Sequence, residues 1–230
     1  ADMRFVDTKN VPEDRTIASK VKEYEKFLKT ELDIVIGKTS TELDSRKKTV
    51  RTGEAAIGNL IADAMRDGVD ADIAIANGGG IRAKKIYAPG TSITRRDMLT
   101  EMPFGNVVVK LRLTGAQIWD ALENGVSQVE NNAGRFPQVS GLSFTYKKGV
   151  SKGSRIVSVK IGGQNLNKNR SYTVATNNYA AGGGDGYSVF KKGAVLINES
   201  GATLLAGMVM NYIKAKGSVS PKVEGRIVAQ

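Results

Sequence analysis

Strand-like and helix-like stretches alternate along this chain, yet several strands also follow one another directly, as hairpins do. That mixture is the strongest constraint on the fold. "ADIAIAN" (71–77) reads as a short buried strand running into "GGGIR", and "NVVVKLRLT" (106–114) as a strand whose second half alternates apolar and charged residues. "DIVIGKTST" reads as another strand, "LSFTYKK" and "RIVSVKIGG" as paired strands, and "QNLNKNRSYTVATNNY" as a turn followed by one more. Helical spacing places Ile57, Leu60, Ile61 and Ala64 on one face between Gly53 and about Arg66. Thr114 is the expected cap of a helix running to about Val126 with Ile118, Trp119 and Leu122 inward. Thr91 to Leu99 begins with turn residues and turns helical, and Thr203 to Lys214 reads as a helix with Leu204, Leu205, Met208 and Ile213 apolar. A doubly wound sheet would alternate cleanly. This order predicts an α+β fold, a single domain with a mixed β-sheet and interleaved helices.

The chain has 230 residues, enough for one large domain that buries about 70 % of its unfolded surface without disulfide or metal. It has no Cys, so it has neither disulfides nor thiolate metal sites. It also has no His, which excludes a Ser-His-Asp triad or a His-built zinc site within it. An all-carboxylate site for a hard cation stays open, and hydrolysis would need carboxylates, Lys, Tyr or another domain. The formal net charge of +11 favours polyanions, anionic membrane surfaces or anionic small molecules. The Lys and Arg are nevertheless scattered in short doublets such as Lys84-Lys85 and Lys147-Lys148. They read as a basic soluble surface without a specific nucleic-acid partner. No run of eighteen apolar residues is present, so no membrane span is expected. The opening "ADMRFVDTKN" is no signal peptide and reads like the middle of something longer. Residues 1–12 are taken as linker. Pro12-Glu13-Asp14 opens a helix with acids in its first turn, and Ile17, Val21, Tyr24, Phe27, Leu28 and Leu32 recur at helical spacing through 13–32.

Three loops carry residue types suited to a ligand. Asn77-Gly78-Gly79-Gly80-Ile81-Arg82 follows a hydrophobic strand, where open sheets bind ligands. Its glycines expose backbone N–H groups and Arg82 adds a charged fork, or the run is a flexible turn. Met102-Pro103-Phe104-Gly105-Asn106 enters a strand, and composition alone reads Phe104 as core rather than as a stacking face. Asn177 to Tyr187, "NNYAAGGGDGY", is either a tight turn or a ligand loop in which Tyr179 or Tyr187 gives a flat face and Asp185 accepts from a diol. Two aromatic planes, Asn for a base edge, an acid for ribose and Arg for phosphate make up a nucleotide-binding set.

"GEAAIGNLIADAM", "NGGGIR", "MPFGNVVV", "GRFPQVSG" and "NNYAAGGGDGY" stand in that order. Together they resemble the C-terminal domain of the 5′-nucleotidase family, which includes bacterial UDP-sugar hydrolases and animal ecto-5′-nucleotidase. The resemblance covers about 13–228. It implies a full protein in which an N-terminal metallophosphatase domain holds two divalent metal ions and performs hydrolysis, with no cofactor in the present chain. The C-terminal domain, here 33–230, binds the nucleotide or nucleoside, and 13–32 corresponds to a linker helix. A periplasmic or extracellular location follows from the same resemblance. Residue by residue, it implies stacking aromatics at Phe104 and Tyr179, the latter usually Phe. Asp185 falls on the ribose acid, Asn77 and Asn106 on polar positions near ribose and base, and Gly134 on a backbone contact near the base. Arg82 and Arg51 fall on arginines facing ribose or phosphate oxygens, and Tyr187 packs behind its loop.

Overall fold

Ile73–Asn77 is buried at every residue and alternates two kinds of side chain. Ile73 and Ile75 point to one side of the sheet, Ala74 and Ala76 to the other, so each face meets a different layer. In a computed structural model that describes Lys9 and residues 11–230, this strand lies inside a mixed sheet. The strand order is Ala194–Ile197, Val107–Thr114, Ser171–Asn177, Ile73–Asn77 and Pro137–Ser140, with Thr203–Leu204 also pairing with Val107–Thr114. Ser171–Asn177 runs parallel to Ile73–Asn77, with Val174 opposite Ile73, and the other pairs are antiparallel. The expected mixed sheet with interleaved helices is thus the observed architecture.

Small side chains on one face, among them Ala74, Ala76 and Ala175, let helices approach closely. Helix Ala56–Gly68 packs Ile57, Leu60, Ile61 and Met65 there, joined by Val209 and Ile213 of helix Leu205–Lys216. The opposite face carries larger residues, Ile73, Ile75, Leu111, Leu113 and Val174. These meet Ile118, Leu122 and Val126 of helix Gly115–Val126, and Leu142, Phe144 and Tyr146 of a second sheet. That sheet has the order Gln164–Asn165, Ile156–Ile161, Leu142–Tyr146, Ile227–Ala229, so the two stretches expected to pair do so. Val35–Thr39 lies between Ser218–Val219 and Ser92–Thr94 in a smaller sheet.

Local capping explains the helix starts. Thr114 accepts from the Gln117 N–H while the Gln117 side chain accepts from the Thr114 N–H, and Thr94 and Asp97 form the same reciprocal pair. Two expectations are corrected, the start of the last helix and the place of Asp14. Thr203 and Leu204 are a short strand, and the last long helix starts at Leu205. Trp119 does face inward, packing half-buried against the core with its ring covered by the Lys168 ammonium at 4.1 Å. Asp14 is not in the first turn of helix Arg15–Leu32 but caps it, accepting from the Thr16 and Ile17 N–H groups. The helical spacing within that helix is real, yet none of its residues is buried, and Tyr24 and Phe27 stand 68 % and 62 % exposed. Exposed ion pairs, Arg95–Glu31 and Arg96–Asp33, tie its end to helix Arg95–Glu101. Of the expected linker 1–12, residues 1–8 and 10 lie outside the described residues.

Candidate functional site

The parallel pair of strands ends at Asn77 and Asn177, side by side. Each is followed by a glycine-containing loop, and the two side chains bond across the gap, Asn177 Nδ2 donating to Asn77 Oδ1 at 2.8 Å. Asn77 Nδ2 in turn donates to Asp185 Oδ2 at 2.7 Å. Asn177 Oδ1 accepts from the Ala180 N–H, which turns the chain into the short helix Asn178–Ala181 carrying Tyr179. Both asparagines are buried, so this chain of amides leaves little freedom to the carboxylate at its end. Asp185 has φ 52°, a left-handed conformation that Asp tolerates better than most residues, between the positive-φ Gly183 and Gly186.

A cleft of about 350 Å³ opens above these strand ends. All eight residues singled out in the sequence line it: Arg51, Asn77, Arg82, Phe104, Asn106, Gly134, Tyr179 and Asp185. Phe104 is 56 % exposed, so the composition-based reading of it as core is overturned. The turn at Pro103–Gly105 lifts the ring out of the sheet, and the Arg82 guanidinium rests 5.3 Å from its centroid. Tyr179 is 48 % exposed and lies over the backbone of Gly184, where an added Cβ would come within 2.5 Å of the ring. Gly79 and Gly134 face each other, the Gly79 N–H donating to the Gly134 carbonyl at 2.7 Å, and a Cβ on either would crowd the Asp185 carboxylate. Gly78 is bare for a different reason: a Cβ there would strike the Val50 carbonyl oxygen. Tyr187 is fully buried behind the loop, stacked on Phe190 at 4.9 Å with its hydroxyl donating to the Arg135 carbonyl at 2.6 Å.

Electrostatically the cleft is unfinished. Arg51 is half-buried and its Nε has no hydrogen-bond partner, while one Nη reaches the Asn132 carbonyl only at 3.5 Å. Burial, and then the neighbouring Arg82 charge, push the Arg51 guanidinium below its usual pKa; the Asp185 charge opposes them. An anion placed between the two arginines would relieve the repulsion.

Several supporting residues escaped the sequence reading. Gln138, wholly buried, donates to the Val50 and Gly53 carbonyls and accepts from the Ala55 N–H, fixing the segment that presents Arg51. Asn124 donates to the Asp185 carbonyl, and Arg135 donates to Asn124. For Asn177 a signal existed: "AIAN" and "VATN" are both strand-like stretches of small and β-branched residues that end in Asn before a glycine-containing loop.

A profile of the family described as 5′-nucleotidase, C-terminal domain, matches residues 35–192. The chain belongs to that family. This 5′-nucleotidase C-terminal domain is 43 % identical over 202 residues to the trifunctional nucleotide phosphoesterase protein YfkN of Bacillus subtilis, covering 84 % of this chain and 14 % of that protein. It is 33 % identical over 184 residues to protein UshA of Escherichia coli, covering 80 % of the chain and 32 % of UshA. Among solved structures, the 5′-nucleotidase precursor from Thermus thermophilus superposes with a TM-score of 0.84 at 36 % identity, covering 95 % of this chain and 44 % of that one. The chain thus spans less than half the length of these relatives. Among the described residues no three His, Cys, Asp or Glu side chains come together as metal ligands. No helix of the described residues is long and apolar enough to cross a membrane.

Proposed function

We propose that this domain recognises the nucleoside part of a nucleotide for a 5′-nucleotidase-type phosphoesterase, whose hydrolytic metallophosphatase domain with two divalent metal ions lies outside the chain. The observation that carries the reading is the convergence of two exposed aromatic rings, a preset carboxylate and two arginines on one cleft. In this reading Phe104 and Tyr179 stack on the base, Asp185 accepts from the ribose hydroxyls, and Arg51 and Arg82 meet phosphate oxygens. In the same reading Asn106 and the Gly134 backbone, which also line the cleft, contact the base and ribose. Helix Arg15–Leu32 is the linker to the hydrolytic domain. A periplasmic or extracellular location belongs to the same proposal, supported by kinship with a snake venom 5′-nucleotidase of Gloydius brevicauda, 30 % identical over 239 residues.

Calorimetric titration with adenosine, AMP and inorganic phosphate tests the reading. Saturable binding of adenosine, with AMP tighter, is expected. Failure of both nucleoside ligands to bind would refute it. Incubation of the chain with AMP and Mn²⁺ should release no phosphate above background, and turnover above about 1 s⁻¹, an ordinary enzyme rate, would refute the assignment of hydrolysis to another domain.

A further inference from the structure

The Tyr179 hydroxyl is bonded at both of its roles, as donor and as acceptor, to one residue. It lies 3.3 Å from Asp185 Oδ1, to which it donates, and it accepts from the Asp185 N–H at 3.2 Å. The ring beneath it rests on Gly184, where any side chain would collide with it. The second carboxylate oxygen is already held by Asn77. The exposed ring is therefore tethered at its far end to the group read above as the ribose acceptor, through a hydrogen bond to a carboxylate.

We infer that Tyr179 and Asp185 form a latch that couples base stacking to sugar recognition in one unit. The inference rests on the reading of the cleft as a nucleoside site. Asp185 then does two jobs: it accepts from the diol, and it positions the stacking ring through the Tyr179 hydroxyl. A phenylalanine at 179 stacks but cannot be positioned this way, because it has no hydroxyl to engage the carboxylate or the Asp185 N–H. A ligand with a base and no diol should therefore still feel the loss of Asp185 in this chain, and should stop feeling it once the hydroxyl is gone.

The test is a double-mutant cycle read with two ligands. Wild type, Tyr179→Phe, Asp185→Ala and the double variant are titrated with adenosine and with 2′,3′-dideoxyadenosine. Asp185→Ala is expected to weaken dideoxyadenosine about fivefold or more, by loosening a stacking contact of the usual size, and to weaken it less than about twofold in the Tyr179→Phe background. Equal losses of dideoxyadenosine binding in both backgrounds, or no loss in either, would overturn the latch. A ligand-free measurement separates failure of the latch from failure of the nucleoside reading. Tyr179→Phe removes the acceptor of the Asp185 N–H, so amide exchange at Asp185 should speed up several-fold, while Gly186, bonded to the Gly183 carbonyl, stays unchanged. Unchanged exchange at Asp185 overturns the latch even if no nucleoside binds.

Discussion

Replacing Gly78 by Ala tests whether the glycine run is structural or merely flexible. A Cβ at this position would sit well under 3.0 Å from the Val50 carbonyl oxygen and 3.1 Å from the Phe136 carbonyl oxygen. Neither obstacle is a side chain that can swing away. Val50 O also accepts from buried Gln138, and the Gly78 N–H donates to Phe136 O at 2.7 Å, so relief must come from moving hydrogen-bonded backbone. Overpacking of this kind costs about 1–3 kcal/mol, and for a domain of this length that lowers the melting temperature by roughly 2–12 °C. Gly80 is the control. A Cβ there meets only Asn77 Oδ1, at an ordinary 3.6 Å, and its φ is not in the left-handed region. Gly80→Ala should stay within about 0.5 kcal/mol of wild type or rise slightly through reduced freedom of the unfolded chain. Differential scanning calorimetry of the two variants decides. If Gly78→Ala melts with wild type, the close approach of the Arg51-bearing segment to the glycine run is wrong. Because Val50 precedes Arg51, the same variant should weaken AMP more than adenosine.

Phe104→Ala should leave stability within about 0.5 kcal/mol, since the ring is exposed, while weakening adenosine about 5- to 150-fold, the value of one stacking contact; paired melts and titrations check both halves. Tyr187→Ala should cost about 3–5 kcal/mol in chemical denaturation by emptying a buried aromatic site, and Tyr187→Phe about 0.5–1.5 kcal/mol through the lost bond to the Arg135 carbonyl. The Arg46 guanidinium bonded to Asp44 draws that carboxyl from 3.8 down to about 2. A carboxyl lowered in the fold adds stability that is present above its unfolded value and is lost as pH falls through the folded one. Asp44→Asn should therefore be slightly less stable than wild type at neutral pH, with the gap closing between pH 4 and pH 2 in denaturant titrations; a gap independent of pH would refute the cause.

The elements that were legible from the sequence are those whose pattern coincides with their burial. Ile73–Asn77 and helix Gly115–Val126 are buried where their apolar residues recur, and Thr114 caps as its spacing with Gln117 requires. The ligand loops were legible as residue types but not as geometry. Composition cannot see that Phe104 sits on a turn that carries it out of the core, because Phe is buried on average and only tertiary context makes the exception. It also cannot divide the glycines by task. Gly78 clears a carbonyl, Gly184 seats a tyrosine ring, and Gly80 borders the open cleft. Helix Arg15–Leu32 has core-like periodicity and no core to meet among the described residues. Gln138 stayed invisible because its partners, Val50, Gly53 and Ala55, lie more than eighty residues away and are all main-chain groups.

The parallel pairing of Ile73–Asn77 with Ser171–Asn177 has a consequence for how the cleft can fail. Both strands lie inside the sheet, flanked on either side by further strands, and neither is an edge that can fray. The arms that approach a ligand are surface loops, but their roots belong to the most protected part of the fold. Partial opening that spared the rest of the domain would not separate Asn77 from Asn177. Ligand capacity and global structure should therefore disappear in one cooperative step, and amides of the two strands should exchange only through whole-domain unfolding.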